Sequence, residues 1–181
     1  MIKSKIREKI LKLRKNNSKK KININPKNIY NYFNKNNYTL KIIGGYYPSN
    51  YEIDDLKILD FFVKKGSIIS LPKIKKKGQM EFYKWFKNDP LLLNKYGIPE
   101  PVNNNKVYPD ILLVPLVAFD KDLNRLGYGG GFYDRYIQKI SKIKKVFKVG
   151  LAFSFQKLKN IPSNKYDKKL DLIITEKDII K

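Results

Sequence analysis

The chain contains no cysteine and no histidine, and each absence excludes whole classes of chemistry. Without cysteine there is no disulfide, no thiolate nucleophile and no cysteine-ligated zinc. Without histidine, the Ser-His and Cys-His mechanisms and the common histidine metal sites are excluded as well. Acid–base or metal chemistry must therefore come from Asp, Glu, Lys, Tyr or backbone groups.

Long apolar runs are also missing. The longest, Ile111–Phe119, spans about nine residues, whereas a membrane-spanning helix needs about 20. The first residues, MIKSKIREKI, alternate charged and apolar positions and lack the apolar core of a signal peptide. We therefore expect a cytoplasmic protein with no membrane partner.

Acidic residues are scarce, with 16 Asp and Glu against 39 Lys and Arg, which gives a net charge of +23. Such a charge is typical of nucleic-acid binding, and a non-catalytic protein with steeply salt-dependent RNA binding is one hypothesis. The other hypothesis is compositional, because abundant Lys, Asn, Ile and Tyr together are what an AT-rich genome encodes. The lysines are dispersed, so we favour the second hypothesis and expect no obligatory nucleic-acid partner.

Apolar periodicity predicts strands alternating with helices in one domain covering residues 1–181. This order is typical of an α/β fold with a mainly parallel central sheet and helices on both faces. We predict an irregular segment over Asn88–Pro101 and a strand over Ser67–Leu71 that Pro72 stops. The other predicted strands are Thr39–Tyr47, Gln79–Phe86, Ile111–Phe119, Lys148–Phe153 and Leu170–Thr175. Predicted helices cover the N-terminus, the residues from Pro26 to Phe33, those from Ser49 to Gly66, and Phe132–Ile143.

Four of the ten glycines stand close together at 127, 129, 130 and 131. They follow the strand-like Ile111–Phe119 and a predicted hairpin, and they precede a predicted helix. Glycine loops expose backbone N–H groups, and a helix N-terminus adds the positive end of its dipole, so the segment predicts a phosphate site. A purely structural tight turn is the alternative. No Gly-Lys-Ser/Thr follows, so this is not a Walker A loop.

Two other patterns allow a structural interpretation beside a functional one. Lys3, Arg7 and Arg14 share one face of the N-terminal helix. The pattern alone favours the interpretation that this is a basic face exposed to solvent. Ser49 and Glu52 have the spacing of a capping box, so Glu52 is most simply a capping residue.

Taken together, these segments resemble the 5-formyltetrahydrofolate cyclo-ligase family, also called methenyltetrahydrofolate synthetase. The resemblance covers nearly the whole chain in the family's order. It depends most on one block, PDILLVPLVAFDKDLNRLGYGGGFYDRY. The other matching segments are KSKIR, YYPSNYEIDDLKI, IISLPKI, MEFYKWF with YGIPEP, VGLAFSFQ with IP, and YDKKLDLIIT.

The resemblance implies a reaction that needs neither cysteine nor histidine. An enzyme of this family uses ATP and Mg²⁺ to convert 5-formyltetrahydrofolate to 5,10-methenyltetrahydrofolate, and it releases ADP and phosphate. We expect a monomer whose partners are 5-formyltetrahydrofolate and ATP. A different small-molecule kinase on the same scaffold would consume ATP with another acceptor, and it is the second enzymatic hypothesis.

The resemblance also implies roles for individual residues. Arg125 and Tyr133 are the implied catalytic residues, and Asp134 and Asp167 are the implied Mg²⁺ ligands. The implied ATP-binding residues are Lys3, Arg7, Arg125, Leu126, Gly127, Tyr128, Gly129, Gly130, Gly131, Phe132 and Tyr133. The implied folate-binding residues are Tyr47, Glu52, Trp85, Tyr128, Gly129, Gly130, Gly131 and Phe132. Trp85 and Tyr133 could equally be core residues.

The chain departs from the family pattern at three positions. Tyr128 stands where some relatives have arginine, which puts one phosphate contact in question. Leu116 stands where glycine is common and could narrow the pocket entrance. Tyr166 stands where a histidine often precedes the aspartate.

Overall fold

The computed structural model describes residues 2–19 and 22–181. In those residues the helices are α1 (Ile2–Asn17), α2 (Pro26–Lys35), α3 (Leu56–Lys64) and α4 (Phe132–Ile140). The strands are β1 (Ile42–Gly44), β2 (Ile68–Ile74), β3 (Met80–Lys84), β4 (Leu91–Leu93), β5 (Pro99–Pro101), β6 (Lys106–Val107), β7 (Ile111–Val114), β8 (Ala118–Phe119), β9 (Arg125–Leu126), β10 (Phe147–Leu151), β11 (Leu172–Ile174) and β12 (Ile179–Ile180). None of the described helices has the length and apolar character needed to cross a bilayer.

Eight strands form one sheet in the order β12-β11-β10-β7-β1-β2-β3-β6. The five strands from β11 to β2 pair in parallel, and β12, β3 and β6 pair antiparallel at the two edges. The predicted α/β fold with a mainly parallel sheet is therefore confirmed. The antiparallel pairings of β2 with β3 and of β11 with β12 follow from short connections, because a parallel pairing would need a long crossover.

Alternate residues of the central strand β7 pack on opposite faces of the sheet. Ile111 and Leu113 join a core that includes residues of α2 and α3. Leu112 and Val114 join a second core with residues of α4. A parallel strand covered on both faces is apolar throughout, which is why this segment reads as an uninterrupted apolar run.

The spacing of Ile2, Ile6, Ile10 and Leu13 predicts the buried face of helix α1 only in part, since Ile10 and Ile6 pack in a core cluster and the two outer residues do not. Ile10 is buried, but Ile2 is 69% exposed and Leu13 is 36% exposed. Arg14 is only 2% exposed, so the interpretation of Lys3, Arg7 and Arg14 as a solvated basic face is wrong for Arg14.

The prediction that Pro72 ends its strand is also wrong, because β2 continues to Ile74. The Ile68 N–H donates to Lys41 O, so residues 68, 70 and 72 direct their amide nitrogens toward β1. Strand β1 ends at Gly44, opposite Ser70. The missing N–H of Pro72 therefore leaves no hydrogen bond of the ladder unmade.

The prediction that Asn88–Pro101 is irregular is wrong, because the segment contains the antiparallel pair β4 and β5. Gly97, with φ +72°, lies in the connection between the two strands. The Ile74 N–H donates to Glu100 Oε2 at 3.1 Å, which ties this hairpin to β2. The hairpin thereby reaches over the carboxyl end of the sheet.

Candidate active site

A cavity of about 860 Å³ lies at the carboxyl ends of β1 and β7. From these neighbouring strands the chain proceeds in opposite directions, β1 to β2 and β7 to β10. Such a reversal is where open α/β sheets bind ligands. Of the site residues predicted from the sequence, the following line it: Lys3, Arg7, Tyr47, Glu52, Arg125, Leu126, Gly127, Tyr128, Gly129, Gly130, Gly131, Phe132, Tyr133, Asp134 and Asp167.

Trp85 is the predicted site residue that does not line this cavity. It is 6% exposed in the core beside α3, and its Nε1–H donates to Asp89 O at 3.3 Å. It lines a separate cavity of about 250 Å³, which shares Tyr47 with the large one. The structure thus places Trp85 as a core residue, which was the alternative left open for it.

The glycine loop ends directly at the N-terminus of α4. Gly129 has φ +105° and Gly131 has φ +65°, which residues with a side chain rarely adopt. Gly131 is the N-cap of α4 and, having no side chain, offers no cap to the first-turn N–H groups. An uncapped helix N-terminus of this kind, with the positive end of the helix dipole, can bind an anion.

Helix α1 is fastened to this loop by its cationic side chains. The Arg7 Nε–H donates to Gly127 O at 2.7 Å. Lys3 Nζ donates to Asp167 Oδ2 at 2.8 Å. Two cations four residues apart on one helix face therefore lie beside the glycine loop, where they could neutralise phosphate oxygens.

An ion pair between the buried Arg125 and the partly exposed Asp134 also lines the cavity. Arg125 is 8% exposed, and its Nη2 donates to Asp134 Oδ1 at 2.7 Å. The Lys168 N–H donates to the same oxygen at 3.0 Å. Among the described residues, the buried Arg125 Nε has no hydrogen-bond partner, and Arg125 is one of the residues that line the cavity.

Glu52 lies on the wall formed by the segment after β1. The Ser49 N–H donates to its Oε2 at 2.7 Å, and the Tyr128 hydroxyl donates to its Oε1 at 2.6 Å. Burial raises the pKa of Glu52, and these hydrogen bonds oppose the rise. The expected pairing with Ser49 is present, but α3 begins only at Leu56, so Glu52 does not cap that helix.

Two further residues contribute to the site, and their roles were not predicted although both lie in segments that the sequence analysis singled out. Arg14 lies on the same helix face as Arg7 and donates to Tyr128 Oη. The hairpin of β4 and β5 brings Tyr96 to the cavity, where its ring centroid is 5.9 Å from that of Phe132. Of the departures from the family pattern, Leu116 is 1% exposed and does not line the cavity, and Tyr166 is 67% exposed.

The carboxylates predicted to bind Mg²⁺ are held close to the glycine loop by their cationic partners. Against the opposing effect of burial, the hydrogen bonds from Lys3 and from the Asn164 N–H keep the pKa of Asp167 below its usual value. Among the described residues, no group of three or more acidic side chains could hold a metal ion alone. Two carboxylates nevertheless fit Mg²⁺ in kind, since this ion is usually bound by one or two carboxylates together with substrate phosphates.

A fully buried carboxyl, Asp55, lies behind the cavity wall. Its Oδ2 accepts the Tyr46 N–H at 2.8 Å, and its Oδ1 has no partner among the described residues. Burial and the nearby charge of Glu52 raise the pKa of Asp55 well above its usual value. The folded protein therefore holds this proton more tightly than the unfolded chain does.

We expect Asp55→Asn to stabilise the protein at neutral pH. A raised pKa in the folded state means that stability falls as pH rises above the unfolded value of about 3.9. Asn mimics the protonated acid, so the variant should lack this loss and gain about 2–4 °C in Tm for each kcal/mol recovered. Thermal unfolding between pH 4 and 8 measures the difference in Tm between the variant and the wild type. Asp54→Asn, on the exposed neighbour, is the control. A lower Tm at pH 7 would contradict the prediction.

Comparison with known proteins shows which family the chain belongs to. The model of the 5-formyltetrahydrofolate cyclo-ligase family matches residues 1–176. The chain belongs to this family. The 5-formyltetrahydrofolate cyclo-ligase of Haemophilus influenzae is 37% identical over 134 residues, covering 70% of this chain and 71% of the relative. That of Escherichia coli K12 is 32% identical over 131 residues, covering 68% and 71%.

Solved structures with the same fold agree with the family assignment. The 5,10-methenyltetrahydrofolate synthetase of Aquifex aeolicus superposes with a TM-score of 0.80 at 31% identity, covering 100% of this chain and 93% of that one. The synthetase of Mycoplasma pneumoniae gives a TM-score of 0.73 at 26% identity, covering 97% and 99%. As a member of the cyclo-ligase family, this protein is an enzyme, which confirms the resemblance read from the sequence.

Proposed function

We propose that the protein converts 5-formyltetrahydrofolate to 5,10-methenyltetrahydrofolate with ATP and Mg²⁺, releasing ADP and phosphate. The observation that carries this proposal is a single cavity with two chemically different walls. One wall has the glycine loop, the N-terminus of α4 and the cations Lys3, Arg7 and Arg125. The other has the partly buried carboxyl group of Glu52.

The first wall suits a triphosphate. Backbone N–H groups of the loop and of α4 would face the phosphate oxygens, and Arg125 would neutralise charge on the group being transferred. Asp134 and Asp167 would hold the ion that accompanies the nucleotide. Mg²⁺, when bound, would neutralise the charge that develops on the phosphoryl oxygens.

The second wall suits the folate. Glu52 can accept hydrogen bonds from the amino and ring N–H groups of the pterin, and this would orient the formyl group toward the phosphate wall. Tyr47 and Phe132 offer apolar and aromatic surface for the rings. Tyr133 would help to exclude water, since its hydroxyl is buried.

The reaction follows from bringing the two walls together. The formyl oxygen attacks the γ-phosphorus and ADP leaves, which activates the formyl carbon. Nitrogen 10 of the folate then attacks that carbon and loses its proton, and the phosphate departs with the former formyl oxygen. The protein's contributions are alignment, charge neutralisation and exclusion of water, so neither a cysteine nor a histidine nucleophile is needed.

The deciding experiment is a spectrophotometric assay for the methenyl product with purified protein, with and without ATP. Product that forms only with ATP and Mg²⁺, together with equimolar ADP, supports the proposal. ATP consumption with another acceptor, and no change in 5-formyltetrahydrofolate, would instead indicate a different small-molecule kinase.

We expect Glu52→Gln to raise the KM for 5-formyltetrahydrofolate about 10- to 50-fold, the cost of losing hydrogen bonds to a charged acceptor. The KM for ATP should change much less, because in our proposal the Glu52 carboxylate contacts the folate and not the phosphates, and it meets the glycine loop only through the Tyr128 hydroxyl. Steady-state kinetics with each substrate varied in turn measures the two effects. Glu8→Gln, an exposed change on α1, is the matched control. Equal losses for both substrates would indicate that Glu52 only stabilises its turn with Ser49.

A further inference from the structure

Three side chains from distant parts of the sequence form one hydrogen-bonded chain beside the cavity. Arg14 of α1 donates through Nη2 to the hydroxyl of Tyr128 in the glycine loop. That hydroxyl donates in turn to Glu52 Oε1 at 2.6 Å. The N-terminal helix is thus connected to the carboxylate on the far wall through a single tyrosine.

The side chain of Arg14 is held in place at one end of this series of hydrogen bonds. Its side chain is buried, Nη1 donates to Leu116 O at 3.2 Å, and Cζ lies 5.6 Å from the centroid of the Tyr128 ring. A buried guanidinium costs free energy unless it is hydrogen-bonded and compensated by charge. Among the described residues Arg14 has no carboxylate within 4.0 Å, so its compensation comes from Glu52 through Tyr128.

We propose that Arg14 and Tyr128 are positioning residues that hold the Glu52 carboxylate in the orientation that receives the folate. This proposal rests on the folate-binding role proposed for Glu52. Without the tyrosine hydroxyl, the contacts described for Glu52 are those to Ser49 alone, at 2.7 Å from its N–H and 3.3 Å from its Oγ. A carboxylate has about four acceptor positions, so these partners leave room for a ligand donor.

The hydrogen bonds that link Arg14, Tyr128 and Glu52 also affect the ionisation of Glu52. The titratable groups that face it are Arg14 from α1, Tyr128 from the loop, Tyr133 from α4, and Tyr46 and Asp55 from the segments around it. Burial raises the pKa of Glu52, whereas the Tyr128 hydrogen bond and the Arg14 charge lower it. Removal of the hydroxyl should therefore raise this pKa further, and the carboxylate should be lost at a higher pH as the solution is acidified.

The test is Tyr128→Phe, which removes the hydroxyl and keeps the ring under Arg14. We expect the KM for 5-formyltetrahydrofolate to rise about three- to tenfold at neutral pH, with a smaller change for ATP. The acidic limb of the profile of kcat/KM for folate against pH should move to higher pH. Tyr51→Phe removes an exposed hydroxyl from the same turn as Glu52 and is the matched control.

Two further measurements extend the test, and the second of them does not depend on turnover. Arg14→Lys retains the charge but not the forked donor, and it should shift the folate KM in the same direction as Tyr128→Phe. Carbon-13 NMR of the Glu52 carboxyl in the ligand-free protein should show a higher pKa in Tyr128→Phe than in the wild type. Thermal unfolding of each variant verifies that it is folded.

The possible failures are distinguishable. An unchanged folate KM and an unchanged Glu52 pKa in Tyr128→Phe, with Glu52→Gln still impaired, would overturn the positioning role alone. An unchanged folate KM in Glu52→Gln would remove Glu52 from the substrate site. In that case the positioning proposal falls together with that part of the proposed function.

Discussion

Asp134→Asn is expected to lower kcat about 100- to 1,000-fold, the scale seen when one preorganised electrostatic contact to a transition state is removed. The carboxylate holds Arg125 through a 2.7 Å hydrogen bond, and in our proposal it also contributes to the Mg²⁺ site. Asn keeps the size of the side chain and one acceptor for the Lys168 N–H, so the fold should persist. The loss therefore reflects missing negative charge, which misplaces Arg125 and weakens the hold on the metal.

A Mg²⁺ titration separates these two consequences. If Asp134 is a metal ligand, the Mg²⁺ concentration for half-maximal rate should rise in the variant. If it only orients Arg125, kcat should fall with no such rise. Asp60→Asn is the matched control, because Asp60 forms an exposed ion pair with Lys64 at 2.9 Å away from the large cavity. Near-normal turnover of Asp134→Asn would remove Asp134 from the site.

The parts of the fold that could be predicted are those in which local pattern and tertiary environment agree. Ile111–Phe119 is apolar throughout because β7 is covered on both faces, and the apolar residues of α4 repeat at helical spacing because one side of it packs on the sheet. The hairpin predicted before the glycine loop is confirmed by the antiparallel pair of β8 and β9. The position of the cavity agrees with the rule that open parallel sheets bind ligands outside the carboxyl ends of their strands.

The parts that could not be predicted depend on contacts between distant segments. Pro72 is compatible with β2 only because β1 ends opposite Ser70, and the sequence near Pro72 contains no sign of this. The burial of Arg14 could not be predicted, because it depends on partners, Leu116 and Tyr128, that lie more than a hundred residues away in the sequence. Trp85 was instead predicted as a site residue but lies in the core. An aromatic residue in a matching motif can belong to the core as readily as to a site.

Gly129→Ala is expected to lower kcat/KM for ATP about 100-fold, because a displacement of about 1 Å in a positioning loop can cost that much. At φ +105° the backbone of Gly129 lies where a residue with a Cβ atom is strained. The added methyl group would also lie 3.4 Å from Arg7 Cζ, so it makes contact without a severe clash. The loop should relieve its strain by rotating, which turns its N–H groups away from the phosphates.

The matched control for this change is Gly66→Ala. Gly66 has a similarly unfavourable φ of +89°, and no atom lies within 4 Å of an added Cβ there. It follows the C-terminus of α3 and is not part of the large cavity. Both variants should therefore lose stability by a similar amount in thermal unfolding, since αL-type strain costs about 1–2 kcal/mol. Only Gly129→Ala should lose ATP affinity, and equal kinetics in the two variants would mean that the glycine loop is a structural turn rather than a phosphate site.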